Sequence, residues 1–354
     1  MRVAVKHGAF SREPLVSPEG ILIDKGAGNA LVHRLLRVFD NAILIGPENR
    51  RCDGFDMIPL EFLDADTTVV INMDVIDSIG VFQVLHRHGA EPKIMNFQWI
   101  NPSVYQHRVN FAAMGLSFAM FPTFCNSERT AGEVREVVRR WTVQPLAEKA
   151  KLDWVNLGVR VGRVKERQPT NVPVVLYPAI YMYERKQPRA FIDIVERVAA
   201  RTPIRVEARL HESHLVSELA TTLAMKEWAW VGPLTTTRDG YWTALSRTTA
   251  FLATALEESY GLEYVEALLA GAIGVFPDRP WVRTILPPSY PFLYSSAAHA
   301  EDLLLRAVNE PEACRAELDA SVGGSFLEWV RSAHNDDNFE KAILAKVAEW
   351  FPGA

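Results

Sequence analysis

The chain has 354 residues, and its 38 lysines and arginines stand against 43 aspartates and glutamates, a formal net charge of −5 at pH 7. A hydrophobic share of 48% with 23% charged residues is typical of a folded globular protein, and the acidic balance argues against a dedicated nucleic-acid-binding protein. The length exceeds the roughly 250–300 residues that one hydrophobic core organises, so two domains are expected.

Short apolar runs alternate with helical patterns along the whole chain, which is typical of parallel α/β layers. In the first half, the predicted strands are Arg2–Val5, Ala42–Ile45, Thr68–Asn72, Lys93–Phe97 and Phe118–Pro122. The helices predicted between them are Asn29–Phe39, Ser78–His88 and Arg129–Trp141.

The segment 161–173 is polar, charged and broken by two prolines, which is typical of an interdomain linker. After it, the predicted strands are Val174–Tyr177, Arg205–Leu210, Trp228–Val231, Ala250–Ala253 and Ile273–Phe276. The helices that alternate with them are Arg189–Ala200, Ser213–Lys226, Tyr260–Ala270 and Ala300–Val308, and the chain after Pro311 is predicted to be helical to its end.

These elements predict an α/β protein with two Rossmann-like domains facing a cleft. The first domain is expected at 1–165, with the aromatic helix 338–351 packing back on it, and the second at 172–335. In such domains, ligands bind beyond the carboxyl ends of the strands, where the strand order switches. Loops that follow strands are therefore the places to search for chemistry.

The most informative stretch is 251–277, FLATALEESYGLEYVEALLAGAIGVFP, in which Glu266 follows Glu258 by eight residues. Eight helical residues rise about 12 Å, too far for the carboxyl pair of a glycoside hydrolase. The amides of Gly261 and Leu262, at the predicted helix start, are suited to an anion. Glu258 and Glu266 are therefore suited to contact the two ends of a long ligand with a central diphosphate, such as a nucleotide-sugar. The alternative is a set of solvated acids at a helix N-terminus.

This stretch resembles the retaining glycosyltransferases of the GT-B fold, and especially glycosyltransferase family 4. The residues that match the family pattern are Glu258-Ser259-Tyr260-Gly261-Leu262, Glu266-Ala267, Gly271 and Val275. Further landmarks in the same order are Cys125-Asn126-Ser127-Glu128, Leu157-Gly158-Val159 and Trp230-Val231-Gly232-Pro233-Leu234. The resemblance covers about residues 118–277.

The resemblance implies roles for these residues in the second domain. Glu258 would contact hydroxyls of the donor sugar, Glu266 the ribose, and the amides of Gly261 and Leu262 the distal phosphate. The other donor-binding candidates in this domain are Tyr260, Pro233 and Leu234.

A further implication concerns the cations that neutralise the diphosphate. Lys186 fits the family's lysine, whereas Tyr181 stands at the position of its arginine. Arg185 is a candidate to supply the missing charge, because a guanidinium clamps phosphate with two hydrogen bonds. The alternative is that Arg185 and Lys186 only precede a helix.

In the first domain, Gly26 and Gly28 resemble the family's glycine-rich loop, although a simple turn explains them equally well. The family often has a histidine at a strand end of this domain, where this chain has other polar residues. Asn72, Asp74 and Gln98 are therefore candidates to contact the acceptor or the sugar. The pair Asp64 and Asp66 has a metal-binding D-x-D form without other support, so no metal site is predicted.

The resemblance implies a hexosyltransferase that moves a sugar from a UDP- or GDP-linked donor to an unidentified acceptor, with retention and without a metal or other cofactor. Alternatives are a nucleotide-sugar epimerase and a catalytically impaired protein that only binds nucleotide-sugars. The acceptor classes left open are glycans, small molecules, lipids and proteins.

Separated cysteines, at Cys52, Cys125 and Cys314, exclude a disulfide scaffold and are typical of a reducing cytoplasm. No apolar run is long enough for a membrane-spanning helix, and the expected location is the cytoplasm. The segment 129–140 has four arginines and two glutamates, a net charge of +2. A peripheral contact with the inner face of a membrane is therefore an alternative to a solvated helix face.

Overall fold

A computed structural model of the chain describes residues 2–7, 15–23, 27–87 and 89–353. The chain forms two units, which we call unit 1 (Met1–Asn156 with Asn338–Ala354) and unit 2 (Leu157–Asp337). No helix in the described part of the chain combines the length and the low polarity that crossing a bilayer requires.

Unit 1 is built on an eight-stranded sheet within its described residues. Its strands are β1 (Arg2–Lys6), β2 (Ile43–Ile45), β3 (Arg50–Arg51), β4 (Asp56–Ile58), β5 (Thr68–Asn72), β6 (Lys93–Gln98), β7 (Thr123–Cys125) and β8 (Leu152–Trp154). The order across the sheet is β3-β4-β2-β1-β5-β6-β7-β8. Only the β3–β4 pair is antiparallel. The helices between the strands are α1 (Ala27–Val38), α2 (Ser78–His86), α3 (Arg108–Met120), α4 (Glu128–Trp141) and α5 (Gln144–Ala147).

Strand β5 lies near the centre of this sheet and is buried along its whole length, as its apolar sequence TVVIN requires. It pairs in parallel with β1, with Val5 opposite Ile71. The chain runs from β1 towards β2 on one side and later returns to β5 on the other. The strand order of unit 1 therefore switches between β1 and β5, where a ligand site is expected.

Unit 2 contains a six-stranded sheet in its described residues, and all its pairs are parallel. Its strands are β9 (Val174–Tyr177), β10 (Arg205–Leu210), β11 (Ala229–Pro233), β12 (Ala250–Leu252), β13 (Ile273–Pro277) and β14 (Leu293–Tyr294). The order is β11-β10-β9-β12-β13-β14, so the strand order of unit 2 switches between β9 and β12.

The helices from Pro188 onward alternate with these strands and then follow them along the chain, and the last of these helices belongs to unit 1 from Asn338 on. They are α6 (Pro188–Ala199), α7 (Glu212–Leu215), α8 (Glu218–Ala224), α9 (Arg238–Ser246), α10 (Leu262–Leu269), α11 (Pro280–Arg283), α12 (Ala297–Asn309), α13 (Pro311–Val322), α14 (Phe326–Ala333) and α15 (Asp336–Trp350). The two parallel sheets confirm the predicted α/β class, and the prediction of a helical chain after Pro311 is also confirmed.

Helix α15 crosses from unit 2 into unit 1, and its aromatic side chains pack in unit 1. Phe339 contacts Phe97 and Phe124, with ring centroids 5.7 and 6.2 Å apart. Trp350 meets Phe124 edge-on at 6.4 Å.

Two predicted elements are wrong in detail. The predicted strand Phe118–Pro122 is the end of α3, and the strand begins later, at Thr123. Phe118 is buried and Met120 is exposed, so the two side chains lie on different faces of this helix. The predicted helix Ser213–Lys226 is divided into α7 and α8, because Ser217 caps a new helix by accepting a hydrogen bond from the amide of Ala220.

Candidate functional site

Two loops meet at the carboxyl ends of β9 and β12, the switch point of unit 2. The first contains the 3-10 turn Glu184–Lys186, and the second leads from β12 to α10. The amide of Leu256 donates to the carbonyl of Arg185 at 2.9 Å. Thr254 Oγ1 donates to the carbonyl of Lys186 at 2.8 Å. These bonds fix the two loops to each other and so position the side chains that they carry.

Lys186 and Glu258 form an almost buried ion pair between these loops. Lys186 Nζ donates to Glu258 Oε1, and the Tyr264 hydroxyl donates to the same oxygen at 3.1 Å. The two charged side chains are only 9% and 12% exposed. Burial raises the pKa of Glu258, and the positive charge of Lys186 opposes that rise. Among the described residues no donor meets Glu258 Oε2, so this oxygen can accept from a ligand.

Gly261 sets the start of α10 beside this ion pair. Its φ of +81° lies in the left-handed region, which glycine adopts without strain. A Cβ at this position would lie 2.8 Å from Tyr264 Cδ2, so any side chain would displace the tyrosine that bonds Glu258. The first amides of a helix have no intrahelical acceptor and favour an anion. Leu262 is the first residue of α10 and brings its amide to this place.

Glu266 is buried on α10, and both its carboxylate oxygens have partners on α9. Arg238 donates to Oε1, and the Tyr241 hydroxyl donates to Oε2 at 2.7 Å. Burial raises the pKa of Glu266, against the attraction of Arg238. The sequence did not point to Arg238 or Tyr241, because the α9 sequence carries no motif that links it to α10.

A pocket lies between α9 and the strands β9 and β10, and it is lined in part by Tyr241, which bonds Glu266. Leu234, Tyr241 and Glu263 line it together with Pro178 and Arg209. Pro233 is exposed at the end of β11 and precedes Leu234. The volume of the pocket is only about 30 Å³, so it is a small hollow beside Tyr241 and Leu234.

Two of the predicted residues lie away from the ion pair. Tyr260 is buried, and its hydroxyl hydrogen-bonds His334 Nδ1 at 2.8 Å. Arg185 is exposed, and its guanidinium lies 5.8 Å from the ring centroid of Tyr183. Arg185 is therefore at the surface beside Tyr183, whereas Lys186 belongs to the buried ion pair.

Tyr181, at which the resemblance predicts the family's arginine position, belongs to an aromatic cluster. Its ring stacks on Tyr183 at 5.1 Å. The rings of His211 and His214 each lie 5.3 Å from Tyr181. The amide of Met182 donates to His214 Nδ1 at 3.2 Å, so the neutral ring carries its hydrogen on Nε2. The cluster offers hydroxyls and imidazole N–H groups where the family offers a guanidinium.

In unit 1, Asn72 and Gln98 are buried and hydrogen-bonded within the protein. Asn72 Nδ2 donates to the carbonyl of Asp74 and to Ser78 Oγ, both at 2.8 Å. Gln98 Nε2 donates to the carbonyl of Ile100. These amides hold the strand ends in place. Asp74, which follows β5, is the predicted acceptor-side residue with a partly exposed side chain.

Asp74 belongs to a charged group at the switch point between β1 and β5. Lys6 pairs with Asp77 at 2.9 Å. Burial lowers the pKa of His7, and the negative charge of Asp74 opposes this shift. Burial raises the pKa of Asp74, and the positive charges of Lys6 and His7 oppose that shift. Burial also raises the pKa of the Tyr105 hydroxyl, and the Asp74 charge adds to this. Sequence analysis missed Lys6 and His7, although they directly follow the first predicted strand, Arg2–Val5.

Gly28 lies close to the same group, and Gly26 falls outside the described residues. A Cβ on Gly28 would come within 2.9 Å of the His7 ring and 3.3 Å of Trp99. A side chain at this position would therefore push into the switch point.

The described residues include no group of three or more His, Cys, Asp or Glu side chains placed as metal ligands. Asp64, the first residue of the D-x-D pattern, instead accepts a hydrogen bond from Thr67 Oγ1 at 2.7 Å. This carboxylate helps to shape its own turn.

Comparison with solved structures identifies the fold. The chain is similar to sucrose-phosphate synthase from Thermosynechococcus elongatus, with a TM-score of 0.70, 12% identity and coverage of 100% of both chains. It is similar to the trehalose-6-phosphate synthase OtsA, with a TM-score of 0.70, 10% identity and coverage of 98% and 99%. A third similar structure is Anabaena HepE in complex with UDP and glucose, with a TM-score of 0.64, 12% identity and coverage of 99% and 100%.

These similarities confirm the predicted GT-B fold. At identities this low they show the fold alone. No protein-family model matches the sequence, and no curated protein matches it either.

Proposed function

We propose that the chain is a retaining glycosyltransferase that resembles family 4 and transfers a sugar from a UDP- or GDP-linked donor to an acceptor hydroxyl. The observation that carries this proposal is the Lys186–Glu258 ion pair. It lies at the strand switch of unit 2 and beside the start of α10, in a chain with the GT-B fold. This combination places a buried cation, a carboxylate and free helix amides around one point.

Lys186 and the first amides of α10 hold the diphosphate in this proposal. Glu258 accepts from the Lys186 ammonium and so neutralises its charge. A bound diphosphate takes over the Lys186 ammonium, and Glu258 then accepts hydrogen bonds from hydroxyls of the sugar. Arg185 contributes a second cation when it rotates from Tyr183. Fixed cations and dipoles of this kind stabilise a leaving diphosphate without a metal ion.

The transfer step breaks the bond between the sugar's anomeric carbon and the diphosphate oxygen. A new bond forms from that carbon to the acceptor oxygen, on the same face of the ring. The proton of the acceptor hydroxyl passes to the departing diphosphate oxygen, and the nucleoside diphosphate leaves. No protein side chain needs to act as a base in this step.

The rest of the donor lies along α9 and α10. Glu266 accepts hydrogen bonds from ribose hydroxyls, with Arg238 and Tyr241 holding its carboxylate in place. The base lies over Leu234 and Tyr241, at the mouth of the small pocket that these residues line. In unit 1, the group around Asp74 is the proposed place for acceptor hydroxyls.

The experiment measures release of nucleoside diphosphate from UDP- and GDP-sugars with a panel of acceptors. Glu258→Gln and Lys186→Met are each expected to lower kcat/KM by about 10²–10³-fold, the effect of losing one preorganised electrostatic group. The matched control is Lys226→Met, which removes an ion-paired lysine from the surface near α8 and should leave turnover unchanged. Wild-type turnover in both site variants would contradict the proposal.

A protein that binds nucleotide-sugars without turnover is the second candidate. The observation in its favour is Tyr181, which gives the site a neutral ring among other rings where the family has a cation. This candidate predicts that calorimetry detects the nucleoside diphosphate while no acceptor in the panel supports its release.

A further inference from the structure

Two histidines follow β10 and meet the aromatic loop that follows β9. The His211 amide donates to the carbonyl of Ile180 at 2.9 Å, which ties the two loops together. The His211 ring is tilted by 39° to the Tyr181 ring and the His214 ring by 70°, each at a centroid distance of 5.3 Å. Both histidines are therefore fixed at the carboxyl ends of neighbouring parallel strands, where ligands of such domains bind.

Each of these imidazole rings accepts a hydrogen bond from a backbone amide at Nδ1. The Met182 amide donates to His214 Nδ1 at 3.2 Å, and the Ser213 amide donates to His211 Nδ1 at 3.3 Å. A neutral ring that accepts at Nδ1 carries its hydrogen on Nε2. Both side chains are partly exposed, and no residue in the described ranges accepts from either Nε2. The two rings therefore present two N–H donors that need an acceptor from outside these ranges.

The chemistry of these donors limits the class of ligand. A metal ion binds a ring nitrogen that carries no hydrogen, so these tautomers do not suit a metal. A phosphate group has several acceptor oxygens, and its charge strengthens each hydrogen bond that it accepts. The Arg185 guanidinium lies 5.8 Å from the ring centroid of Tyr183, and that ring lies 4.7 Å from His214. A positive charge therefore lies beside the two donors, which also favours an anion.

The histidines border the site that holds the Lys186–Glu258 ion pair. The Tyr177 hydroxyl donates to the carbonyl of Tyr181 at 3.1 Å. Burial raises the pKa of Tyr177, and the charges of Glu258 and Glu263 add to this. Burial also raises the pKa of Tyr181, and the charge of Glu263 adds to this as well. Glu263 lies in the first turn of α10, so the histidine cluster and the ion pair share one helix start.

We propose that His211 and His214 bind phosphate oxygens of the donor's diphosphate through their Nε2–H groups, at the place where the resemblance predicts an arginine. This inference rests on the proposed donor site and adds a further segment to it, the loop after β10. Neutral rings hold the diphosphate by hydrogen bonds alone and leave Lys186 as the buried cation of the site. Glu263 carries the same sign of charge as the ligand and opposes its binding.

The test measures binding of inorganic pyrophosphate, UDP and GDP to the full chain by calorimetry. Asparagine places its amide near the position of Nδ1, and glutamine near that of Nε2. His214→Asn still accepts from the Met182 amide but has lost the outer N–H donor. It should bind pyrophosphate about 10-fold more weakly, the effect of losing one hydrogen bond to a charged group. His214→Gln keeps a donor near Nε2 and should bind nearly as well as the wild type.

His211→Asn and His211→Gln repeat this comparison at the second ring, with circular dichroism confirming the fold of each variant. The control is His299→Asn, at an exposed position on α12, which should bind as the wild type does. Equal losses in the asparagine and glutamine variants would show that the rings only support their loop, and would overturn the proposal. Full pyrophosphate binding by both asparagine variants, or none by the wild type, would also overturn it.

The nucleotides decide whether the phosphate belongs to the donor. Both asparagine variants should lose affinity for UDP or GDP by the same factor as for pyrophosphate. Weaker pyrophosphate binding without weaker nucleotide binding would assign the rings to another phosphate, such as one on the acceptor, and would overturn the assignment to the donor. Nucleotide binding that depends on both rings, in a chain that transfers no sugar, would support this inference and contradict the proposed transferase.

Glu263→Gln tests the charge of the bound group. The variant removes a negative charge beside the proposed phosphate and should strengthen pyrophosphate binding about 2–5-fold, since like charges this close repel even through water. Equal or weaker binding would place the anion away from these rings and would contradict the proposal.

Discussion

At the scale of single residues, the Lys186–Glu258 pair shows how two almost buried charges compensate each other. Each side chain is almost buried, so each depends on the other for compensation. Removing one partner of such a pair leaves a buried charge uncompensated, which typically costs about 3–5 kcal/mol. Replacing both partners by neutral groups of similar shape avoids most of that cost.

We therefore expect Glu258→Gln to restore much of the stability that Lys186→Met loses. Urea unfolding of both single variants and the double variant measures the coupling between the two residues. The double variant should be folded but inactive, which separates the loss of catalysis from the loss of stability. Strictly additive changes in the unfolding free energy would contradict this coupling.

Gly261 is constrained both by its backbone conformation and by a close side chain, whereas Gly323 is constrained by its backbone conformation alone. Its φ is +81°, and an added Cβ would meet Tyr264 at 2.8 Å. Gly323 has a φ of +67° with nothing within 4 Å of such a Cβ. Gly323→Ala should therefore lower the free energy of unfolding only by the cost of the left-handed backbone conformation, about 1 kcal/mol. Gly261→Ala should lose more, by urea unfolding, and should also lower activity, because Tyr264 bonds Glu258. Equal losses in stability would show that Tyr264 moves aside freely.

Sequence reasoning reached those site residues whose signal is local. Glu258, Gly261 and Glu266 belong to one motif, and all three lie around α10 in the structure. It missed Arg238 and Tyr241, because the contact that holds Glu266 depends on how α9 packs against α10. Such contacts join residues that are distant in sequence and leave no spacing pattern.

At the scale of elements, a helix or strand was predicted correctly where its apolar residues recur at a clear spacing along the sequence. Helix α4 was predicted within a residue of its bounds, since Ser127 caps it and its apolar residues recur at helical spacing. Helix α3 was missed because its residues are apolar on nearly all sides. A short apolar run of this kind fits a buried strand or a buried helix equally well, and only the packing decides.

His334 directly follows α14 and connects three segments of unit 2. His334 is 1% exposed. Its Nδ1 pairs with the Tyr260 hydroxyl at 2.8 Å, and its Nε2 meets the carbonyl of Ile285 at 2.9 Å. The carbonyl can only accept, so the neutral ring carries its hydrogen on Nε2. Burial lowers the pKa of His334 to about 4, so the folded protein resists protonation at this site.

This shift predicts a loss of stability in mild acid. The folded pKa is lower than the unfolded value of about 6.5, so the stabilisation is complete above pH 6.5 and declines towards pH 4. Between pH 7 and pH 5 the wild type should lose about 2 kcal/mol more than His334→Gln, by urea unfolding. The control is His299→Gln, at an exposed position on α12, which should follow the wild type. Parallel pH profiles for wild type and His334→Gln would contradict the assignment.

At the scale of the whole molecule, length and the alternation of elements were enough to predict an α/β chain with two Rossmann-like sheets. They could not fix what the polar segment 161–173 does, because polar residues serve a linker and a packed surface equally well. Arg167 in this segment donates to the carbonyls of Thr248 and Gly271 at 2.7 and 3.2 Å. Lys165 pairs with Asp239 at 2.7 Å. These side chains bind within unit 2.

Because unit 2 has its own sheet and its own candidate donor site, a nucleotide should stabilise that unit first. A ligand at 100 times its Kd adds about 2.7 kcal/mol to the stability of the state that binds it. For a unit of about 180 residues this raises Tm by about 5–10 °C. A thermal-shift screen of UDP, GDP, ADP and their sugars should therefore identify one base by a clear rise in Tm.

Hydrogen exchange then tells where that stabilisation arises. With the selected nucleotide, amides of β12 and of the first turn of α10 should exchange more slowly, since the ligand orders the loop between them. Amides of β1 and β5 in unit 1 are the internal control, because the donor groups proposed in unit 2 do not include them. Slowed exchange in unit 1 with no change around α10 would place the nucleotide at the Asp74 group and would contradict the donor site. Equal slowing in both units would instead mean that the two units unfold as one cooperative structure. Nucleotide binding by variants at Lys186 and at Asp74 would then show which unit holds the nucleotide.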